Sequence, residues 1–297
     1  MILNASGCLD PLVAPEVARR LDAVVTKTVT PLPREGNAPE RIAETDSGLL
    51  NSIGLANPGI DRFLADVLPP LLELGPPVWV SVGGFSAPDY ARSCARLDAT
   101  AAAVVELNLS CPNVAAPEDE AAVIVAAARA ETGKPLYAKL SPALPDAAAV
   151  ASAAAEAGAD GLSLVNTIRG LALDPVTLRP RLATGAGGLS GPALRPVALA
   201  AVHACFRATG LPIVGMGGVE TGRHALELIA AGASAVALGT VLFADPGAPD
   251  RVRAELTEEA ARHGFDTPLA ARGAAHEPVA AAVNGLPAET ERVRLKL

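Results

Sequence analysis

The sequence predicts an eight-stranded parallel (β/α)8 TIM barrel, an α/β fold in a single domain, and three observations carry that prediction. Short apolar or β-branched runs recur along the chain, each followed by Gly, Asn or Pro. Helical patterns alternate with them, which implies parallel strands joined by right-handed crossovers. Half of the 297 residues are apolar and 3% are aromatic, so a large core must be assembled from Ala, Val, Leu and Ile. A chain of this length fits one barrel with insertions. A doubly wound open sheet is the runner-up, disfavoured because no G-x-G-x-x-G follows the first strand.

In chain order the expected strands are Ile2–Ala5, Ala23–Thr30, Val78–Val82, Val104–Leu109, Leu136–Leu140, Gly161–Val165, Ile213–Met216 and Ala235–Leu238. The helices between them are expected near Pro15–Leu21, Ile60–Leu74, Pro88–Ala99, Glu118–Glu131, Asp146–Ala157, Ala193–Ala208, Thr221–Ala231 and Asp250–His263. Ser86-Ala87-Pro88-Asp89, Pro145-Asp146 and Thr221 are helix-start signals, pairing a capping side chain with proline or an acidic first turn. Two connections, Pro31–Gly59 and Thr167–Pro192, are long enough to be binding walls or lids. The barrel is expected over residues 1–272, with an Ala-, Pro- and Glu-rich tail over 273–297 that is ordered, if at all, through contacts.

A formal charge of −8 argues against nucleic acid or an anionic membrane as partner. The start, Met1-Ile2-Leu3-Asn4, does not read as a signal peptide, and no window offers 18 uncharged apolar residues. A cytoplasmic protein is therefore expected. The four cysteines, Cys8, Cys94, Cys111 and Cys205, contain no C-x-x-C pair, so free thiols are expected rather than disulfides, and neither a metal nor a cluster held by this chain. Cys94 and Cys205 lie on Ala-rich helical stretches and read as packing residues.

The most informative segment is Asn108-Leu109-Ser110-Cys111-Pro112-Asn113, which places a thiol between carboxamides just after a buried-strand pattern. Loops at the C-terminal ends of parallel strands carry chemistry. Asn can bind a planar polar ring and Cys can serve as base or nucleophile. The same six residues would also suit a plain turn. The remaining strand ends add polar groups: Lys27 in Thr26-Lys27-Thr28, Asn51 in the first long loop, Lys139 on the fifth strand and Asn166-Thr167 on the sixth. Buried Lys and Asn cost several kcal/mol without partners, so so many at one rim favour a polar ligand. Gly217-Gly218 before a helix at Thr221, followed by Gly239-Thr240, matches the phosphate site that barrels form after strands seven and eight.

These stretches, with Pro33-Arg34-Glu35-Gly36-Asn37, Glu44-Thr45, Asn51 through Gly59, Val165-Asn166-Thr167, Gly187 through Pro192 and Gly215 through Gly218, resemble the class 1 dihydroorotate dehydrogenases over nearly the whole chain. The wording of Arg34–Asn37, Asn166–Thr167 and Gly187–Pro192 is more similar to the NAD-linked class 1B branch than to the fumarate-linked class 1A branch. The resemblance implies an FMN enzyme that oxidises dihydroorotate to orotate in pyrimidine synthesis, with Cys111 as the base at substrate C5. It implies a flavin lined by Ala5, Ser6, Gly7, Lys27, Thr28, Asn108, Lys139, Val165, Gly191, Gly217, Gly218, Gly239 and Thr240. The substrate would be held by Lys27, Asn51, Ile53, Gly54, Leu55, Asn108, Asn113, Asn166 and Thr167. It further implies a homodimer and a partner subunit carrying FAD and a [2Fe–2S] cluster, through which electrons reach NAD.

The chain begins close to its first barrel strand, without the strands that such enzymes usually place before it. Three other readings compete. One is a fumarate-linked dehydrogenase, and another is a dihydropyrimidine dehydrogenase-like flavin enzyme, which shares the Asn-Leu-Ser-Cys pattern. A Schiff-base aldolase would instead use Lys139 as nucleophile.

Overall fold

The computed structural model describes residues 1–109 and 117–276. Among the described residues twelve strands appear in chain order: β1 (Ile2–Asn4), β2 (Val24–Val25), β3 (Ile42–Thr45), β4 (Gly48–Asn51), β5 (Val78–Val82), β6 (Val104–Asn108), β7 (Leu136–Leu140), β8 (Gly161–Leu164), β9 (Ile168–Gly170), β10 (Gly187–Ser190), β11 (Ile213–Met216) and β12 (Ala235–Leu238). Eight of them form one parallel sheet in the order β1-β12-β11-β8-β7-β6-β5-β2. A parallel bridge between Leu3 and Ala23 brings β1 against β2 and closes the cylinder. Each barrel strand falls within the span the sequence predicts, and the crossover helices follow in the expected order.

The registers order the side chains that point into the barrel, because inward residues alternate along each strand and tilt staggers neighbouring strands. From the floor upward the layers are Ala23, Val104, Gly161 and Ala235, then Leu3, Trp79, Tyr137 and Val214. Above them lie Val25, Glu106, Ser163 and Ala237, then Ala5, Ser81, Lys139 and Met216. The apolar members of these layers form a continuous cluster of their own. Trp79 and Tyr137 plug the lower barrel, with ring centroids 4.7 Å apart. Gly161 leaves the space into which the Tyr137 ring fits. Polarity thus rises toward the mouth, where the strands end.

Three departures from the sequence prediction have local causes. The predicted strand Ala23–Thr30 is regular only over Val24–Val25. Val25 pairs with Trp79 and Val29 with Val82, so this strand gains one residue over its neighbour. That extra residue is a bulge, and bulges re-aim side chains. The helix predicted over Ile60–Leu74 widens to a π-turn over Phe63–Val67, directly before Pro69 and Pro70. Proline lacks the N–H donor that an α-helix needs there. Finally, the two long connections Pro31–Gly59 and Thr167–Pro192 are not irregular throughout: they contribute β3, β4, β10 and β9 to a four-stranded antiparallel sheet in the order β3-β4-β10-β9.

Cys94 and Cys205 are fully buried, and burial pushes both thiols up to about 12. Among the described residues no helix is long and apolar enough to cross a membrane, and no His, Cys, Asp and Glu group could hold a metal. Of the predicted tail, residues up to His276 are described; they end in a short 3-10 turn, Ala274–His276.

Candidate active site

At the C-terminal mouth of the barrel lies a cleft of ≈ 510 Å³, a volume ordinary for a small-molecule site. It is lined by Ser6, Gly7, Lys27, Thr28, Asn51, Ile53, Gly54, Leu55, Asn108, Lys139, Asn166 and Thr167, among others. A second lobe of ≈ 70 Å³ lies against Ala5, Val165, Gly191, Gly217, Gly218 and Gly239. Ser6, Cys8, Lys139, Asn166, Thr167, Ser190 and Thr240 line both, so the two lobes share a wall. Every site residue expected from the sequence lines one lobe or the other, except Cys111 and Asn113. Those two lie outside the described residues.

The bulge in β2 explains how the consecutive residues Lys27 and Thr28 both face the cleft; a regular strand would send one of them outward. Thr28 then anchors a chain of hydrogen bonds. Its hydroxyl lies 3.0 Å from Ser81 Oγ and accepts from Asn108 Nδ2 at 3.3 Å. Asn108 Oδ1 accepts from Asn166 Nδ2 at 3.1 Å, and Asn166 Oδ1 accepts from the Thr167 N–H at 2.8 Å. Tyr90 adds a hydroxyl that donates to the Asn108 carbonyl at 2.7 Å. Asn108, the last residue of β6, and Asn166, just beyond β8, are therefore fixed against each other by hydrogen bonds. Asn51 reaches the same cleft from β4, and its Nδ2 donates to the Gly188 carbonyl of β10 at 3.3 Å. A Cβ at Gly188 would occupy the place of the Thr167 side chain.

Two ammonium groups set the electrostatics. Burial, and then the Lys139 cation, push the Lys27 ammonium below the ordinary lysine range. Lys139 is buried and lies 3.6 Å from Glu106 Oε1, an ion pair whose side chains are 7% and 1% exposed. That distance is beyond hydrogen-bond reach, and Glu106 Oε1 and Ser163 Oγ have no hydrogen-bond partner among the described residues. The Cys8 thiol also lines both lobes; burial raises its pKa, opposed by the charges of Lys139 and Lys27.

The smaller lobe is built from backbone. Gly218 has φ +69°, and a Cβ there would lie 2.9 Å from Arg195 Cβ and 3.0 Å from the Gly191 carbonyl. Two N–H groups at the start of the helix that follows are already bonded within the protein. Thr221 Oγ1 accepts from the His224 N–H, and Glu255 Oε2 accepts from the Gly222 N–H at 2.7 Å. Those donors are already taken by protein groups, which leaves the backbone of Gly217–Gly218 and Gly239–Thr240 to face an anion.

The donors fit a flat, polar, anionic group. Carboxamides stand at the mouth, a buried cation faces both lobes, and a glycine cradle closes one end. This is the chemistry a flavin nucleotide requires, since its reduced ring is anionic and its tail carries phosphate. Sequence reasoning missed Cys8, Ser190, Phe85, Phe243 and Glu106. Only Glu106 left a signal, as a charge inside the apolar run Val104-Val105-Glu106-Leu107.

Comparison with known proteins agrees with this geometry. The model of the dihydroorotate dehydrogenase family matches residues 1–259. The chain is 45% identical, over 93% of each sequence, to the protein named dihydroorotate dehydrogenase B (NAD(+)), catalytic subunit, of Desulforudis audaxviator. Its counterpart in Latilactobacillus sakei, of the same name, is 44% identical over 90% of this chain and 92% of that one. Among solved structures, the ligand-free dihydroorotate dehydrogenase of Eimeria tenella superposes with a TM-score of 0.77 at 26% identity, covering 93% of this chain and 89% of that one. A barrel with these strand-end amides, this lysine and this glycine cradle, matched by a family model over most of its length, has one placement: the chain belongs to the dihydroorotate dehydrogenase family.

Proposed function

We propose that this chain is the catalytic subunit of an NAD-linked, class 1B dihydroorotate dehydrogenase, oxidising (S)-dihydroorotate to orotate in pyrimidine biosynthesis with FMN as cofactor. The observation that carries the reading is the Thr28–Asn108–Asn166–Thr167 hydrogen-bond chain beside the buried Lys139 and Lys27. It offers donors and acceptors at fixed positions to a pyrimidine ring and a positive charge to its carboxylate.

The residues divide the work. FMN held here would supply the two-electron acceptor for the hydride from substrate C6. Gly217, Gly218, Gly239 and Thr240 would hold its phosphate with backbone groups, Gly191 would back the cofactor, and Ala5, Ser6, Gly7, Lys27, Thr28 and Val165 would line it. Lys139 would stand at the ring edge where negative charge gathers. Asn51, Asn108, Asn113, Asn166 and Thr167 would orient the pyrimidine, with Ile53–Leu55 at its side, and Lys27 would pair with its carboxylate. Cys111 Sγ would remove the C5 proton as the C5–C6 double bond forms. A thiol is a modest base at neutral pH, and general-base help of this kind is worth roughly 10²–10⁴ in rate.

The names of the relatives include the words catalytic subunit, which supports a separate electron-transfer protein for this chain. We assign that protein the FAD and [2Fe–2S] carriers, and a homodimer to this chain, as the resemblance implies.

The test is an anaerobic spectrum of the purified chain before and after dihydroorotate. Loss of the yellow flavin absorbance, with orotate formed, supports the reading; a yellow chain that dihydroorotate leaves unchanged refutes it. Cys111→Ala should retain its flavin and be reduced by dihydroorotate roughly 10²–10⁴-fold more slowly in stopped flow. Reduction at the wild-type rate would remove Cys111 from the role. Fumarate alone should not reoxidise the reduced chain at a catalytic rate.

A further inference from the structure

We infer that Glu106 is the internal counter-ion of Lys139, and that this pair sets the charge of the cavity floor and with it the reduction potential of the bound flavin. The inference rests on the proposed flavin site and adds to it a residue that lines neither lobe.

The register places Glu106 one layer below Lys139, beside Val25, Ser163 and Ala237. Its side chain is 1% exposed and lies 3.6 Å from Lys139 Nζ. Packing gives no reason for a carboxylate there. The neighbours in its layer are small and mostly apolar, and a buried ion pair is often replaceable by apolar residues without loss of stability. The pair is also too long for a hydrogen bond, and Glu106 Oε1 has no such partner. Its interaction with Lys139 is therefore Coulombic, and the ammonium donors stay available to the cavity above. Tyr137 and Trp79 fill the layer beneath, and the pair's own side chains are 7% and 1% exposed, so solvent screens it little.

Charge balance gives the consequence. Lys27 and Lys139 bring two cations to the cavity, and Glu106 is the carboxylate paired with one of them. A cation beside a flavin favours its reduced, anionic state, and an anion behind that cation moderates the preference. Glu106 acts through Lys139 and through the field at the floor, and is a positioning residue in this sense. Removing its charge alone should favour the reduced flavin. An uncompensated charge in a medium of effective dielectric ~20 shifts such an equilibrium by roughly tenfold.

The experiment is an equilibrium redox titration of the flavin in the full-length, flavin-loaded chain, compared among wild type, Glu106→Gln, Lys139→Met and the double variant. Glu106→Gln should raise the reduced-to-oxidised ratio at a fixed potential about tenfold, an upward shift of about 30 mV for a two-electron couple. Lys139→Met should move it the other way, and the double variant should return toward wild type. A yellow, folded Glu106→Gln protein with the wild-type potential overturns the assignment. Should Glu106→Gln not fold, the double variant carries the test, since it removes both members of the pair and leaves neither uncompensated: a ratio within about twofold of wild type supports the inference, and one equal to Lys139→Met alone overturns it. A wild-type chain that stays colourless with FMN supplied refutes the flavin reading, and this inference with it.

Discussion

Lys27 is the residue whose charge state the fold perturbs where it matters to a ligand. Burial and the nearby Lys139 cation lower its pKa, so as pH rises it loses its proton earlier than an ordinary lysine. An anionic substrate stabilises the ammonium, so binding in that range should take up a proton. Orotate affinity should therefore fall on the alkaline side before an ordinary lysine would titrate, and calorimetry in two buffers of different ionisation enthalpy should detect the proton. Affinity that stays constant through that range would show that Lys27 does not meet the carboxylate. Gly188 tests the opposite wall. A methyl group there displaces the Thr167 side chain, so Gly188→Ala should weaken orotate binding while flavin content stays near wild type, and the overpacking itself should cost about 1–3 kcal/mol of fold stability. Lys27, Asn108 and Lys139 could be picked out in the sequence because polar residues at the ends of apolar strands are conspicuous. Glu106 could not be placed that way. Its role depends on the layer in which it lies, and only the strand register supplies that.

At the scale of elements, helix-start chemistry separates real caps from apparent ones. Asp146 Oδ1 accepts from the Ala149 N–H at 2.9 Å, whereas Ser86 makes no side-chain capping bond despite its favourable sequence. Asp146→Ala should cost about 1 kcal/mol in urea unfolding, and Ser86→Ala should fall well below that. Equal losses would contradict the distinction. The same scale explains what the sequence could not disclose. An inserted residue in β2 is invisible without its partner strand, because a bulge is a mismatch in count between two chains of residues. The antiparallel sheet was hidden for a related reason. Its strands are three or four residues long, and β4 and β10 are separated in sequence by four of the eight barrel strands. The eight core strands were legible because each is a buried, apolar run bounded by turn residues, a pattern that local reading captures.

For the whole molecule, the last described turn is tied back onto the barrel's outer shell. His276 stacks on His203 with ring centroids 3.9 Å apart, and Arg272 lies over the Phe206 ring while donating to the Gly232 and Leu211 carbonyls. Burial, then His276 and Arg207, lower the His203 pKa. Its folded-state value lies below the ordinary imidazole value, so this contact stabilises the fold above the ordinary value and loses that contribution as pH falls toward the depressed one. Amide protection factors over residues 268–276, with the intrinsic exchange rate at each pH divided out, should therefore fall on mild acidification, more than those of the barrel strands; a uniform fall would point to global loosening instead. The antiparallel sheet has a different consequence for how this architecture can be varied. β4 and β10 come from connections 137 residues apart at the Asn51–Gly188 contact, yet each supplies the other's edge. Transplanting either connection by itself from a relative of different specificity would leave a strand unzipped over the entrance. Recombination between such enzymes should succeed only when both segments travel together, as one exchangeable cassette.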